Sequence, residues 1–272
     1  MVLESLLNPK NAEDKPWHVF FISFLYTFIG VFFAYQLFPT QASTLSVAII
    51  TIIFIPFFQK LFDYEEEKDR IAVEKMKKLN MFARHEKAIS VFGAFFMGVV
   101  VAMTFIFIFM PSLNVFTLQA QTIEGFSSAV TGNATDTGAF MKFFLNNTGV
   151  MVLVFIMSLM VGAGAIFILA WNASVIAVYV GLIVKSFVNN GMNTATAYLY
   201  GVPVGLGSIA LHGIPEIAAY FVAGIAGGIL GVGIIRERLG SEEFNIVFKD
   251  AIVFMAIAEA LVVGAALIEA FL

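Results

Sequence analysis

The sequence predicts an all-α, polytopic bundle of about seven membrane-spanning helices, with a broken or re-entrant helix at residues 201–235. Three observations carry this. Of 272 residues, 60% are hydrophobic and only 12% charged, against roughly 25% charged in an ordinary soluble domain. The deficit is concentrated: no Asp, Glu, Lys or Arg lies between Phe143 and Val184, and between Ser186 and Ile235 only Glu216 does. Runs this long exceed the roughly 20 residues that cross a hydrocarbon core. A soluble fold, which wets one face of each helix, has no use for them.

The first span covers residues 17–38 and ends at Pro39. It is longer than a signal-peptide core and no small-x-small site follows, so it reads as a retained span. A short turn at residues 40–43 leads into the second span, 44–62, where Pro56 should kink the helix. Residues 63–87 carry fourteen charged side chains of both signs, with Glu66/Arg70 and Glu74/Lys78 at i,i+4. Ala72, Met76, Leu79 and Ala83 could line one face. The segment reads either as a cytoplasmic amphipathic helix lying on the membrane or capping the bundle, or as a solvated helical connector.

The third span covers 88–110 and stops at Pro111. The polar stretch 112–141 reads as an extracytoplasmic loop, with an N-glycosylation acceptor pattern at Asn133-Ala134-Thr135. Residues 142–185 hold two spans, 143–170 and 174–187, with the turn expected at Trp171-Asn172-Ala173-Ser174. Residues 201–235 are too long for one ordinary span and too short for two. Proline disfavours helix at the residue before it and suits a first helical turn. This predicts a half-helix at 203–211, a break at Gly213 and Pro215, and a full span from 215 to 235. Irregular backbone at that depth survives only inside protein or beside a wet cavity. The last span covers 251–270. Lys and Arg before span one, in 63–87 and in 236–249 then fall on one side, which places the N-terminus in the cytoplasm and the C-terminus outside. The whole chain forms one transmembrane domain.

Candidate functional residues follow from the cost of polar groups in lipid. Glu216 costs about 2.5–3.5 kcal/mol on insertion scales. It faces the bundle interior as a functional group, or caps the helix restarting at Pro215, where the helix dipole favours a carboxylate. His212 lies four residues earlier. On a continuous helix the two would share a face and could hold a metal or relay a proton, but the expected break undoes that geometry. A metal needs three or four ligands and only His212, Glu216 and Glu259 come forward, so a His212–Glu216 hydrogen bond fixing the break is the favoured reading over a metal. Glu259, mid-way along the last span, needs a partner among His212, Asn172, Asn146 and Asn147, or a wet cavity; Glu269 reads as interfacial. The three asparagines also suit helix caps or interhelical hydrogen bonds. Gly224, Gly227, Gly228 and Gly231 form a small-residue stripe, read as intramolecular packing in preference to a homodimer face. Gly162 and Gly164 do the same on span four.

The absence of cysteine removes disulfides and thiolate chemistry. No His-Glu-x-x-His, Gly-x-Ser-x-Gly or phosphate-binding loop occurs, so neither an enzyme nor a cofactor is expected. A net charge of −4 without a basic field excludes a nucleic-acid partner.

The second half, residues 143–272, resembles the stage II sporulation protein M family. The resemblance rests on Phe143-Phe144-Leu145-Asn146-Asn147 opening a span, on Asn172 after an apolar run with Gly162 and Gly164, and above all on Leu211-His212-Gly213-Ile214-Pro215-Glu216-Ile217-Ala218-Ala219-Tyr220 before a glycine-rich helix. Two departures stand out: Asn172-Ala173 where relatives often have Asn-Gly, and a longer polar loop after span three. The resemblance implies a small membrane protein acting as a scaffold or assembly factor, with membrane or envelope proteins as partners besides the bilayer. The Phe and Ile content and the Asn-Ala-Thr pattern also suit an archaeal protein. Two further readings compete: a solute or ion transporter using His212, Glu216 and Glu259, and, third, a metal-dependent membrane enzyme.

Overall fold

Asparagine and proline set the first boundaries. In the computed structural model, which describes residues 8–74, 81–130 and 136–271, the Asn8 side chain accepts the Lys10 N–H and opens α1 (Pro9–Asp14). Pro16, whose missing N–H costs nothing at a first helical position, opens α2 (Pro16–Leu37). There follow α3 (Ala42–Glu74), α4 (Met81–Phe109), α5 (Thr117–Val130), α6 (Asp136–Val161), α7 (Ala165–Asn189), α8 (Thr194–Arg236) and α9 (Glu242–Phe271). Seven of these, all but α1 and α5, are long and apolar enough to cross a membrane, and no strand occurs among the described residues.

Four expectations change. The charged segment 63–87 is not a separate surface helix: residues 63–74 continue α3 past Pro56, and 81–87 begin α4. The reason is inward burial. Glu65, Glu66 and His85 are buried at the foot of the bundle. Arg70 bonds Glu67, while Glu66 reaches Arg236. The expected apolar face at Ala72, Met76, Leu79 and Ala83, and the Glu74/Lys78 pair, lie outside the described side chains.

The polar stretch 112–141 contains a helix, α5, where a loop was expected. Its Gln119 amide donates to the Ser43 carbonyl at 3.2 Å and the Ser174 hydroxyl at 3.1 Å. These bonds tie α5 to α3 and α7. Asn133-Ala134-Thr135 lies outside the described residues.

The turn between spans four and five falls at residues 162–164, not at Trp171–Ser174. Gly162 adopts φ +64°, a left-handed conformation glycine takes without steric cost. At Gly164 a Cβ would stand 2.4 Å from the Met157 carbonyl oxygen, so only glycine lets the chain fold back so tightly. Asn172 instead sits inside α7, its amide donating to the Ile168 carbonyl at 2.9 Å.

The predicted break at Gly213 and Pro215 is absent. α8 runs unbroken for 43 residues through Pro203 and Pro215, and Gly213 has no positive φ. No half-helix at 203–211 and no restart at Pro215 occurs. Each proline removes one backbone donor, and membrane helices tolerate that because neighbouring groups re-satisfy the freed carbonyl. At about 1.5 Å per residue such a helix approaches 65 Å, about twice the hydrocarbon thickness, so both ends project beyond it.

α3 and α8 are the central helices, each packed against several others. Phe54, Phe58, Phe92 and Phe95 interlock between α3 and α4, with ring centroids 4.8–5.3 Å apart. Beyond burial, such aromatic pairs contribute about 0.5–1.5 kcal/mol each. One end of the bundle gathers the charge. Lys68 bridges Glu13 and Glu65, both at 2.6 Å, and Glu65 also meets His85 Nδ1 at 2.5 Å. Arg84 pairs with Asp250, and Arg236 with Asp63 at 3.0 Å. Lys68, Arg84, Lys87 and Arg236 thus gather with Glu13 and Asp14 of α1 at a single end. Burial there, reinforced by Glu65 beside it, pushes the Glu13 carboxyl up to about 8.

Candidate functional site: an intramembrane polar cavity

Where α8 continues straight through Gly213, His212, Glu216 and Tyr220 fall four residues apart on one face. That face meets α6, α7 and the end of α9 around a cavity of about 490 Å³, within the usual range for ligand sites. α6 contributes Asn146 and Asn147, α7 contributes Asn172 and Tyr179, α8 adds Ser208, α9 adds Glu269, and α5 covers one side with Ile123.

The polar groups are partly engaged with one another. The Tyr220 hydroxyl donates to Glu216 at 2.8 Å. Asn146 donates to the Asn147 carbonyl oxygen at 2.9 Å. Tyr179 and Ser208 share a hydrogen bond at 3.2 Å across α7 and α8. Others remain available. The Asn147 amide nitrogen is buried without a hydrogen-bond partner, though it lies close enough to Glu216 to bear on its charge. The Lys142 amine is also buried without a hydrogen-bond partner, within electrostatic range of Glu269. A buried, unmade hydrogen bond costs about 1–3 kcal/mol. Lys142 lies near the cavity without lining it, and the Asn147 amide stands beside Glu216.

Five of the six intramembrane residues singled out from sequence line this one cavity: His212, Glu216, Asn172, Asn146 and Asn147. The sixth, Glu259, does not. It accepts from the Thr148 hydroxyl at 3.1 Å, joining α6 to α9 away from the cavity, so its partner is none of the four expected. No His212–Glu216 hydrogen bond forms; Tyr220 is the Glu216 partner. Among the described residues no group of three or more His, Asp or Glu is placed to hold a metal ion.

Sequence reading missed Tyr220, Tyr179 and Ser208, and read Glu269 as interfacial where it lines the cavity. Tyr220 carried a signal, the same four-residue spacing from Glu216 that links Glu216 to His212.

Gly224, Gly227, Gly228 and Gly231 of α8 lie beyond the cavity. A Cβ on Gly227 would stand 2.4 Å from the Phe155 carbonyl oxygen, and one on Gly231 2.7 Å from that of Leu159, both in α6. Gly228 accommodates the Phe62 ring of α3, and the Gly224 carbonyl accepts from Ser158 at 2.7 Å. All four are buried within the bundle, and this close seam holds α6 beside α8 so that Asn147 and Glu216 face the same space.

A family model described as Stage II sporulation protein M matches residues 19–272. The match reaches through the first three spans as well as the second half. No curated protein and no solved structure matches the chain.

Proposed function

The chain belongs to the stage II sporulation protein M family of membrane proteins, and we propose that this member is a transporter whose binding site is the cavity around Glu216, acting without covalent catalysis. The observation that supports this reading is the convergence of Glu216, His212, Glu269 and three asparagines, all within candidate membrane spans, on one space of about 490 Å³. Ionisable groups in a membrane are costly and tend to mark solute or proton pathways, and transporter sites lie at such depths between helices. A purely structural Glu216 would be sealed by its neighbours. Here it lines the cavity, with the Tyr220 hydroxyl bonded to it and the Asn147 amide beside it. The charged end faces the cytoplasm on this reading, by the excess of Lys and Arg there, which leaves the C-terminus outside.

Purified protein in liposomes with an entrapped pH-sensitive dye tests it. The parent should carry proton-coupled or cation flux, and Glu216→Gln should fold normally and lose it. No flux in the parent, or equal flux in the variant, would sink the transport reading. Because the chain lacks cysteine, single cysteines at Glu237 and Gly191 report the orientation by labelling in intact cells; Gly191 should label from outside and Glu237 should not.

A second reading, an assembly factor for membrane or envelope proteins, is favoured by one observation. α2 turns Trp17, Phe21, Leu25, Phe32 and Leu37 outward along one apolar, aromatic face. Replacing Phe21 and Phe32 with Leu should leave flux intact, and on this reading should disrupt partner assembly.

A further inference from the structure

On the far side of α8 from the cavity lies a second hollow, an apolar groove of about 510 Å³ between α4 and α8. Its α4 wall includes Gly93, Phe96 and Met97; its α8 wall includes Gly207, Ile214 and Phe221. The two hollows share a border, since Ile176 of α7 and Ile209, Gly213 and Ile217 of α8 line both.

The glycines of α8 explain the opening. Near the start of the helix, α7 and α8 touch closely: a Cβ on Gly201 would meet Val184 at 2.7 Å, and one on Gly205 would meet Val180 at 3.2 Å. Two turns further on, a Cβ on Gly213 would meet nothing of α7 within 4 Å, only Ile209 of its own helix at 3.8 Å, although Tyr179 and Ser208 still bond across α7 and α8 just before it. Gly213 thus lies beside open space next to α7, a window bordered by the polar cavity and the groove.

We propose that the cavity and the groove are one site for a membrane amphiphile with an amine-bearing polar head, the head beside Glu216 and Glu269 and the acyl chain passing over Gly213 into the groove between α4 and α8. The proposal rests on reading the cavity as the ligand site and specifies its substrate class. A free ion or water-soluble solute would have no use for an apolar extension of the same size as the polar part. A lipid tail alone would have no use for the carboxylates. The shared border at Gly213 joins the two requirements in one molecule. Two carboxylates favour an ammonium head, and the Lys142 amine, within electrostatic range of Glu269 at the cavity's edge, suits a phosphate.

The test uses full-length protein in nanodiscs containing a phosphatidylethanolamine with a photoreactive diazirine in its acyl chain. Irradiation should label peptides from residues 89–100 and 206–221. Gly213→Leu and Gly207→Leu should each cut that labelling roughly tenfold, the effect of about 1.4 kcal/mol of lost binding. Both glycines have room for a side chain, so folding should persist, and the melting temperature checks it. Glu216→Gln should weaken labelling by the ethanolamine lipid, and soluble phosphoethanolamine should compete with it. Equal labelling in both glycine variants overturns the proposal. So does labelling that falls in the glycine variants but ignores both Glu216→Gln and the competitor, because the groove would then hold a tail unconnected to the cavity. The expected labelling in a protein that carries no flux in liposomes leaves the amphiphile site standing and removes the transport reading instead.

Discussion

From Ala219 to Gly231 every residue of α8 is buried, whereas from Thr194 to Ala218 the same helix leaves Leu199 72%, Leu211 69% and Ile214 68% exposed. Both halves are glycine-rich, and Gly207 and Gly213 do the opposite of Gly227 and Gly231. In the buried half, Gly227 and Gly231 admit the α6 backbone so closely that no side chain would fit. In the exposed half, Gly201 and Gly205 still pack against α7, but Gly207 and Gly213 face open space and admit nothing from the protein. The buried half is a clamp that fixes the bundle; the exposed half, past its contact with α7, keeps a gap. Tyr220 stands at the boundary, fully buried, with its hydroxyl reaching back to Glu216. The comparison teaches that a glycine count on a membrane helix is uninformative until each position's neighbour is known.

The largest effect should come from breaking the clamp. Gly227→Ala places a methyl group against a backbone carbonyl that cannot rotate away, and overpacking of this kind costs about 1–3 kcal/mol; the upper end is expected here. Thermal unfolding in detergent should show a clear loss, and Gly227→Leu should fail to give folded protein. Gly207→Ala is the control from the other half and should leave the melting temperature unchanged or slightly higher. Equal losses at both positions would erase the distinction between the halves.

The next effect is polar. Ser158 of α6 is buried, and its hydroxyl lies 2.7 Å from the Gly224 carbonyl and 2.8 Å from that of Gly162. It holds both the seam with α8 and the turn into α7. Ser158→Ala should cost about 1 kcal/mol, read as a lower unfolding midpoint. If the seam is set by backbone approach alone, Ser158→Ala will be silent while Gly227→Ala is not.

Much of this architecture was legible in the sequence because lipid imposes simple rules. Charge-free runs marked the spans, and the cost of polar groups in lipid singled out Glu216, His212 and the asparagines, which the fold brings to one cavity. The misreadings have a common origin. Pro215 and Gly213 carry strong local preferences for a helix break, yet the helix passes through both, since local preference is worth a few kcal/mol at most and packing along α8 overrides it. The turn was sought at Asn172, a good turn former, while Gly162 and Gly164 were read as packing residues. Glu259 and Thr148 meet across 111 positions of sequence, a pairing no local pattern encodes. Tyr220 and Tyr179 were passed over because a tyrosine in an apolar run counts as bulk, although its hydroxyl is a polar group needing a partner as much as an asparagine does.

At the boundary between the halves, Tyr220→Phe removes one hydrogen bond from Glu216 while keeping the ring that fills the core. Hydrogen bonds between side chains in membrane proteins average about 0.6 kcal/mol, so stability should fall only by that amount. Function should move further, because Glu216 loses the group that orients it. Flux in liposomes should drop well out of proportion to the change in melting temperature. A parallel loss of both would make Tyr220 a core residue with no part in the site.

The smallest effect should have the opposite sign. Gly213 has helical backbone geometry and open space above it, so Gly213→Ala removes a flexible residue from the unfolded chain and adds no clash. Such changes stabilise by about 0.5 kcal/mol where the geometry allows. The melting temperature should rise slightly, the reverse of Gly227→Ala on the same helix. The added methyl would also intrude on the window between α7 and α8, so acyl-chain labelling should fall modestly in a protein that is more stable than its parent. That pairing of gain and loss separates a glycine kept for a ligand from one kept for packing: at a packing glycine, stability and binding would fall together.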